Sequence, residues 1–220
     1  MNVEELTRDQ LTKEETPLYR HIESRYENGQ LYAKCTLKGD ELDGLYERYY
    51  KSGQLQVRCT YKDGEYDGQH EAYYENGQLW MKYPYKNGKK DGPYESYYES
   101  GRLWIKCTYK DGEYDGLYEA YYENGQLSLR CPYKDGKYSG LFESYFRNGQ
   151  LHVRCMYKYK GRDYDRVYDC YDKSYEQYLN DGRLFERSTM KNGEFDGLFE
   201  RNYPDGLHVR RMYKNGKEVR

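Results

Sequence analysis

Gly44-Leu45-Tyr46-Glu47-Arg48-Tyr49-Tyr50-Lys51-Ser52-Gly53-Gln54-Leu55 runs straight into Gln56-Val57-Arg58-Cys59-Thr60-Tyr61-Lys62-Asp63-Gly64-Glu65-Tyr66-Asp67, and this 24-residue phrase begins again at Gly68, Gly92, Gly116 and Gly140. A fixed period of this size marks a repeat architecture, in which a unit buries its apolar side only by stacking on its neighbours. Each copy carries two turn dipeptides, such as Asn76-Gly77 and Asp63-Gly64, separated by alternating segments rich in Tyr, Leu and Val. Asn-Gly and Asp-Gly supply the positive φ angles of type I′ turns, so every copy is expected to be a β-hairpin.

With Ser52-Gly53 as a two-residue loop, Tyr50 stands opposite Leu55, Arg48 opposite Val57, Glu47 opposite Arg58 and Tyr46 opposite Cys59. The same arithmetic pairs Glu23 with Lys34, Glu71 with Lys82, Glu95 with Lys106, Glu119 with Arg130 and Glu143 with Arg154. Facing opposite charges contribute ~0.2–1 kcal/mol each, and a one-residue slip would send them to opposite faces, so this row is a register device. Tyr46, Tyr50, Leu55, Val57, Cys59 and Tyr61 fall on the other, apolar face. The sequence supplies no second layer for it, so the sheet must curl, dimerise or be covered by another segment or a partner.

Composition agrees with an extended repeat. The chain has 220 residues, of which 36% are hydrophobic and 34% charged, a poor supply for a globular core. Its 32 Tyr against 5 Phe and 2 Trp suit a half-wet sheet, because a phenol is an apolar ring with a polar tip. A net charge of -2 gives no long-range attraction to nucleic acid or to an anionic membrane. No stretch approaches the ~20 apolar residues of a spanning helix, and the chain is read as soluble and cytoplasmic.

Cys35, Cys59, Cys107, Cys131 and Cys155 share one repeat position, with Cys170 outside it. Equivalent positions two strands apart lie roughly 9.5 Å from each other, beyond the ~7 Å reach of a disulfide, so these thiols read as small apolar fillers. His21, His70, His152 and His208 sit at different phases, which suggests neither a metal site nor a nucleophile-base pair. Catalytic residues, cofactor, metal and small-molecule substrate are therefore not expected. Residues 1–18 read as a polar tail or short helical cap, 19–165 as regular repeats, 166–196 as a repeat with an insertion, and 197–220 as a C-terminal capping repeat lacking one residue between Gly206 and Leu207. Within the insertion Tyr168, Tyr171, Tyr175 and Tyr178 have the spacing of one helical face, and a short helix or an enlarged hairpin are both open.

One departure from the repeat points to a surface. Trp80 and Trp104 occupy the same position in adjacent units on the charged face, where the register sets Tyr73 opposite Trp80 and Tyr97 opposite Trp104. Four rings on a polar face suit a partner-binding patch, since aromatic residues often dominate interface energies; the alternative is that they only brace a thin sheet. The opposite, Tyr-rich face, with Tyr50, Tyr98 and Tyr122, is the second candidate.

The phrases Tyr-x-x-Tyr-Tyr-Glu-Asn-Gly-Gln-Leu and Tyr-Lys-Asp-Gly-x-x-Asp-Gly resemble the MORN repeat over residues 19–220, in particular the variant of bacterial antitoxin-like proteins and of giant viruses. The resemblance implies an all-β fold, an elongated single-layer antiparallel β-meander of repeated hairpins that often self-associates, and no catalytic residue. It also implies a non-enzymatic scaffold whose partner is another protein or a second copy, with toxin neutralisation and a membrane-associated platform as the alternatives. The 24-residue unit and its recurring Cys look closest to the giant-virus type, which extends the expected location to a host cytoplasm or a virion.

Overall fold

The computed structural model describes residues 18–157 and 174–220. Among these, every regular element is a strand, and the strands build one antiparallel sheet of 20. The chain winds as a meander: Tyr19–Arg25 pairs with Leu31–Lys38, which pairs with Glu41–Tyr49, and so on through His208–Lys214 and the short Lys217–Val219. Pairing of Arg154 with Glu176 and of Cys155 with Tyr175 carries the sheet across residues 158–173.

The two turns of a unit differ in kind. At Asp63-Gly64 both residues have positive φ, 47° and 81°, and Lys62 faces Glu65 across a two-residue type I′ loop, as the dipeptide implies. The Ser52-Gly53 loop corrects the expectation. Only Gly53 has positive φ, the Gly53 amide donates to the Tyr50 carbonyl at 2.9 Å, and the Tyr50 amide donates to the Gln54 carbonyl at 2.8 Å. This is the longer hairpin loop that ends in a glycine bulge. Arg48 still faces Val57 and Glu47 faces Arg58, but the register then slips, so that Tyr49, not Tyr50, faces Leu55. A second irregularity lies where Gly92 approaches Pro84: a Cβ at Gly92, whose φ is +129°, would stand 2.6 Å from the proline ring.

The charged row extends beyond single hairpins. Glu23, Lys34, Glu47, Arg58, Glu71, Lys82, Glu95, Lys106, Glu119, Arg130, Glu143, Arg154, Glu176, Arg187, Glu200 and Arg210 face one another in succession, acid and base alternating from one end of the sheet to the other. Three of the inner acids, Glu47, Glu143 and Glu200, are buried among their neighbours. Glu47, 2% exposed, accepts from Lys34 at 2.6 Å, Arg58 at 2.7 Å and the Tyr49 hydroxyl at 2.6 Å. Glu143, 1% exposed, does the same with Arg130, Arg154 and Tyr145.

On the other face the cysteine row lies under tyrosines rather than under a second layer. Cys59, Cys107, Cys131 and Cys155 are buried, and Cys131 and Cys155 pack with Phe142 into a cluster walled by Tyr118, Tyr133 and Tyr175. Rings follow one another along the sheet at centroid distances of 4.5 Å for Tyr61 and Tyr66, 4.7 Å for Tyr66 and Tyr85, 4.6 Å for Tyr109 and Tyr114, and 5.0 Å for Tyr114 and Tyr133. The rings pack over the cysteine row, so the single layer supplies its own cover. Lys90 breaks the run, yet its ammonium stands over the rings of Tyr83 at 4.5 Å and Tyr109 at 4.9 Å. Tyr175 and Tyr178 belong to a strand, which excludes a helical face through them; Tyr168 and Tyr171 lie outside the described residues, as do Cys170 and residues 1–17.

Two outcomes follow from these environments. Burial raises the pKa of the Glu47 carboxyl, the bonds from Lys34, Tyr49 and Arg58 together lower it by more, and it stands at about 2. A depressed folded pKa gives stability that is present above the unfolded value near ~4.3 and is lost as pH falls through the folded one. Glu47→Gln should therefore destabilise by on the order of 2–3 kcal/mol at pH 7, and denaturant titrations of the two proteins should converge as pH approaches 2. Burial also pushes the Cys59 thiol up to about 11 and those of Cys107 and Cys131 up to about 12. Alkylation mapped by mass spectrometry at pH 8 should label these three only on unfolding, after Cys35 at its half-exposed position.

Candidate functional site

The slip at each glycine loop decides what the charged face displays. Ala72 faces Met81 and Tyr73 faces Leu79, so Trp80 is the extra residue of a β-bulge and has no residue opposite. Ser96 facing Ile105 and Tyr97 facing Leu103 leave Trp104 in the same situation. A bulge re-aims its side chain away from the pleat, and the two indoles are 40% and 41% exposed. The expected pairing of Tyr73 with Trp80 and of Tyr97 with Trp104 is thus corrected: it presumed an unbroken two-residue register, and the glycine bulge removes it.

Tyrosines still flank the tryptophans, by a different route. Tyr74 packs on Trp80 with centroids 6.1 Å apart, and Tyr98 packs on Trp104 at 5.7 Å. Tyr73 and Tyr97 instead turn their hydroxyls to the ladder, donating to Glu71 at 2.7 Å and Glu95 at 2.6 Å. Burial and the bond to Glu71 push the Tyr73 phenol up to about 12, and burial followed by the bond to Glu95 raises that of Tyr97. Both stay protonated donors at neutral pH. The face therefore presents two Tyr–Trp pairs beside a row of acids and bases, rather than one four-ring cluster.

Tyr50, Tyr98 and Tyr122, expected on the face opposite the tryptophans, stand instead just beyond the strands at the glycine loops, because the bulge there breaks the alternation. They hold units together. Their hydroxyls donate to the carbonyls of Tyr73, Tyr121 and Tyr145 at 2.8, 2.7 and 2.8 Å, each 23 residues further on, and Tyr26 and Tyr74 repeat the bond to Tyr49 and Tyr97. The second turn makes the reciprocal bond backwards: the amide of Gly64 donates to the Leu42 carbonyl at 2.9 Å and that of Gly88 to Tyr66 at 2.9 Å. Neighbouring hairpins are thereby fastened at both ends of their strands, and the tryptophan row rests on a stiff support.

Two bulge residues escaped the sequence reading. Tyr32 is the extra residue of the first hairpin and Phe185 of the one after the insertion. Their phase within the repeat matches that of Trp80, a signal that was present once Trp80 and Trp104 had been aligned. Tyr32 packs on Tyr26 at 5.1 Å, as Trp80 does on Tyr74. Among the described residues no group of three or more His, Cys, Asp and Glu side chains is placed to hold a metal ion, and no helix is long and apolar enough to cross a membrane.

The MORN repeat variant matches residues 42–63, 66–87, 90–111, 114–135 and 138–159, five tandem units in the phase of the observed hairpins. The chain belongs to the MORN repeat variant family. No curated protein matches it significantly. MORN repeats are generally non-catalytic and are commonly associated with scaffolds that bind proteins or membranes; in this MORN chain the hairpins are joined by the tyrosine bonds just described. Tyr98→Phe, which removes one such bond and keeps the ring on Trp104, should lower unfolding free energy by about 0.5–1.5 kcal/mol, read by denaturant titration, with the strand signal in circular dichroism unchanged.

Proposed function

We propose that this MORN protein is a non-enzymatic scaffold that binds another protein through its charged face, with Trp80 and Trp104 at the centre of the contact. The observation that carries the reading is the exposure of both indoles at bulge positions of two adjacent units, beside the row of acids and bases. A large exposed ring beside charges supplies both parts of an interface: a desolvated anchor and a polar surround. Tyr73 and Tyr97 contribute by fixing Glu71 and Glu95 beside the anchors, and Tyr50, Tyr98 and Tyr122 by holding the row rigid, which reduces the ordering cost of association.

The test is Trp80→Ala combined with Trp104→Ala. Association with the partner recovered from native extract should weaken by ~2 kcal/mol or more, while the melting temperature moves little, because the bulged side chains lie outside the cysteine core. A double variant that melts earlier and binds normally when folded would show that the indoles only brace the sheet. Recovery of a toxin in fixed ratio would assign the antitoxin role to the same face, and binding to anionic liposomes in place of a protein would assign the membrane platform.

A further inference from the structure

The turns Asp63-Gly64, Asp111-Gly112 and Asp135-Gly136 each carry a tyrosine on either side, and we propose that these cross-turn pairs are sites of oxidative modification, at which two phenols couple into a dityrosine bridge. Tyr61 faces Tyr66, Tyr109 faces Tyr114 and Tyr133 faces Tyr138, each pair directly opposed one step in from its turn. Their ring centroids are 4.5, 4.6 and 4.6 Å apart, with planes inclined by 31°, 31° and 33°. Two phenoxyl radicals join through orbital lobes that stand perpendicular to their rings, so near-stacked rings at this separation turn their ortho carbons toward one another. An oxidant in solution can reach them: Tyr138 is 44% exposed and the other five are half-buried.

The chemistry balances with a two-electron oxidant such as hydrogen peroxide acting through a haem peroxidase. Each phenol gives up one electron and one proton, and the two radicals form a carbon–carbon bond between their Cε atoms. The hydrogen on each of those carbons then moves to the oxygen of its own ring, which restores both hydroxyls and both aromatic rings, while the peroxide becomes water. Burial, followed by the bond to the facing phenol, raises the pKa of Tyr61, Tyr109 and Tyr133, so at neutral pH each pair is oxidised from its protonated form. Tyr66 also stacks on Tyr85 at 4.7 Å, but that contact is diagonal, since Tyr85 stands opposite Gly68. Tyr85 has Lys90 across its own turn, so that turn carries no such pair. Equivalent cysteines two strands apart lie roughly 9.5 Å from each other, and the tyrosine pairs supply the covalent bridge that this spacing denies to the thiols. The bridges fall at the turn end of the strands, whereas Trp80 and Trp104 lie at the glycine-loop end, so the inference does not rest on the partner-binding reading.

Peptide mapping tests it. Folded protein, kept dilute to suppress coupling between copies and treated with a haem peroxidase and hydrogen peroxide, should gain dityrosine fluorescence. Lys62, Lys110 and Lys134 separate the members of the three pairs, so each bridge joins peptides that trypsin otherwise parts, at their summed mass less two hydrogen atoms. Mass spectrometry should place most of the intrachain bridges at these three pairs. Tyr26 and Tyr32 should stay largely uncoupled although Tyr32 is 39% exposed, because their rings meet edge-on at 70°. Tyr66→Phe, Tyr114→Phe and Tyr138→Phe combined keep every ring and remove one hydroxyl from each pair, and should abolish the three bridges and most of the fluorescence with the strand signal in circular dichroism unchanged. Should the triple variant unfold, Tyr138→Phe by itself should remove the third bridge and leave the other two. Bridges that follow exposure, with Tyr19 and Tyr32 foremost, a predominance of Tyr66 with Tyr85 or of coupling between copies, fluorescence retained in the triple variant, or no dityrosine would each overturn the proposal.

Discussion

A row of acids and bases that face one another from strand to strand, with Glu47, Glu143 and Glu200 each bridged to bases on both sides, is the interaction on which the rest of this sheet depends. A thin sheet with no second layer has little apolar burial to penalise a slipped strand, so another force must fix the register. The ladder does so because one step of slip moves every charge to the face where the cysteines and tyrosines lie. Enclosure makes the interaction stronger than a surface ion pair: Glu47 and Glu143 each accept from two cations and one phenol while almost fully buried. An uncompensated carboxylate at either place would leave a buried charge without partners, which is far costlier than losing a solvated pair.

Tyrosine solves the remaining problem, the cover of the apolar face. Phe or Leu in its place would complete a dry surface that invites uncontrolled association, and a smaller residue would leave the thiols wet. A phenol spans the gap between adjacent units and lays its ring over the cysteine row. The same side chain works differently at the loops, where it reaches the carbonyl of the next unit. One residue type thus serves as roof on one face and as fastener at the strand ends, which accounts for its abundance in the chain.

Function on such a support resides in what departs from the repeat. The bulge position holds Tyr32, Gln56, Trp80, Trp104, Ser128, His152 and Phe185 because no residue stands opposite it within its hairpin. Positions that bear on register or cover vary less in character from unit to unit. A repeat protein can therefore alter its display without altering its frame, and the two indoles are the largest such alteration in this one.

The sequence by itself determined the period, the hairpin unit, the charge pairing within each hairpin and the apolar character of the cysteine row, because all of these are local consequences of alternation and of turn dipeptides. It also pointed to Trp80 and Trp104 as the departure of interest. Only the tertiary structure decided how the tryptophans are seated. Asn-Gly and Ser-Gly are compatible with a two-residue turn and with a longer loop closed by a glycine bulge, and the choice rests on whether one or both residues take positive φ. That choice shifts Tyr73 from Trp80 to Leu79 and brings Tyr74 to the indole instead. The cover of the apolar face was likewise undecided by pattern alone, since a tyrosine's ring reaches across to a neighbouring unit only once the spacing and twist of the sheet are set.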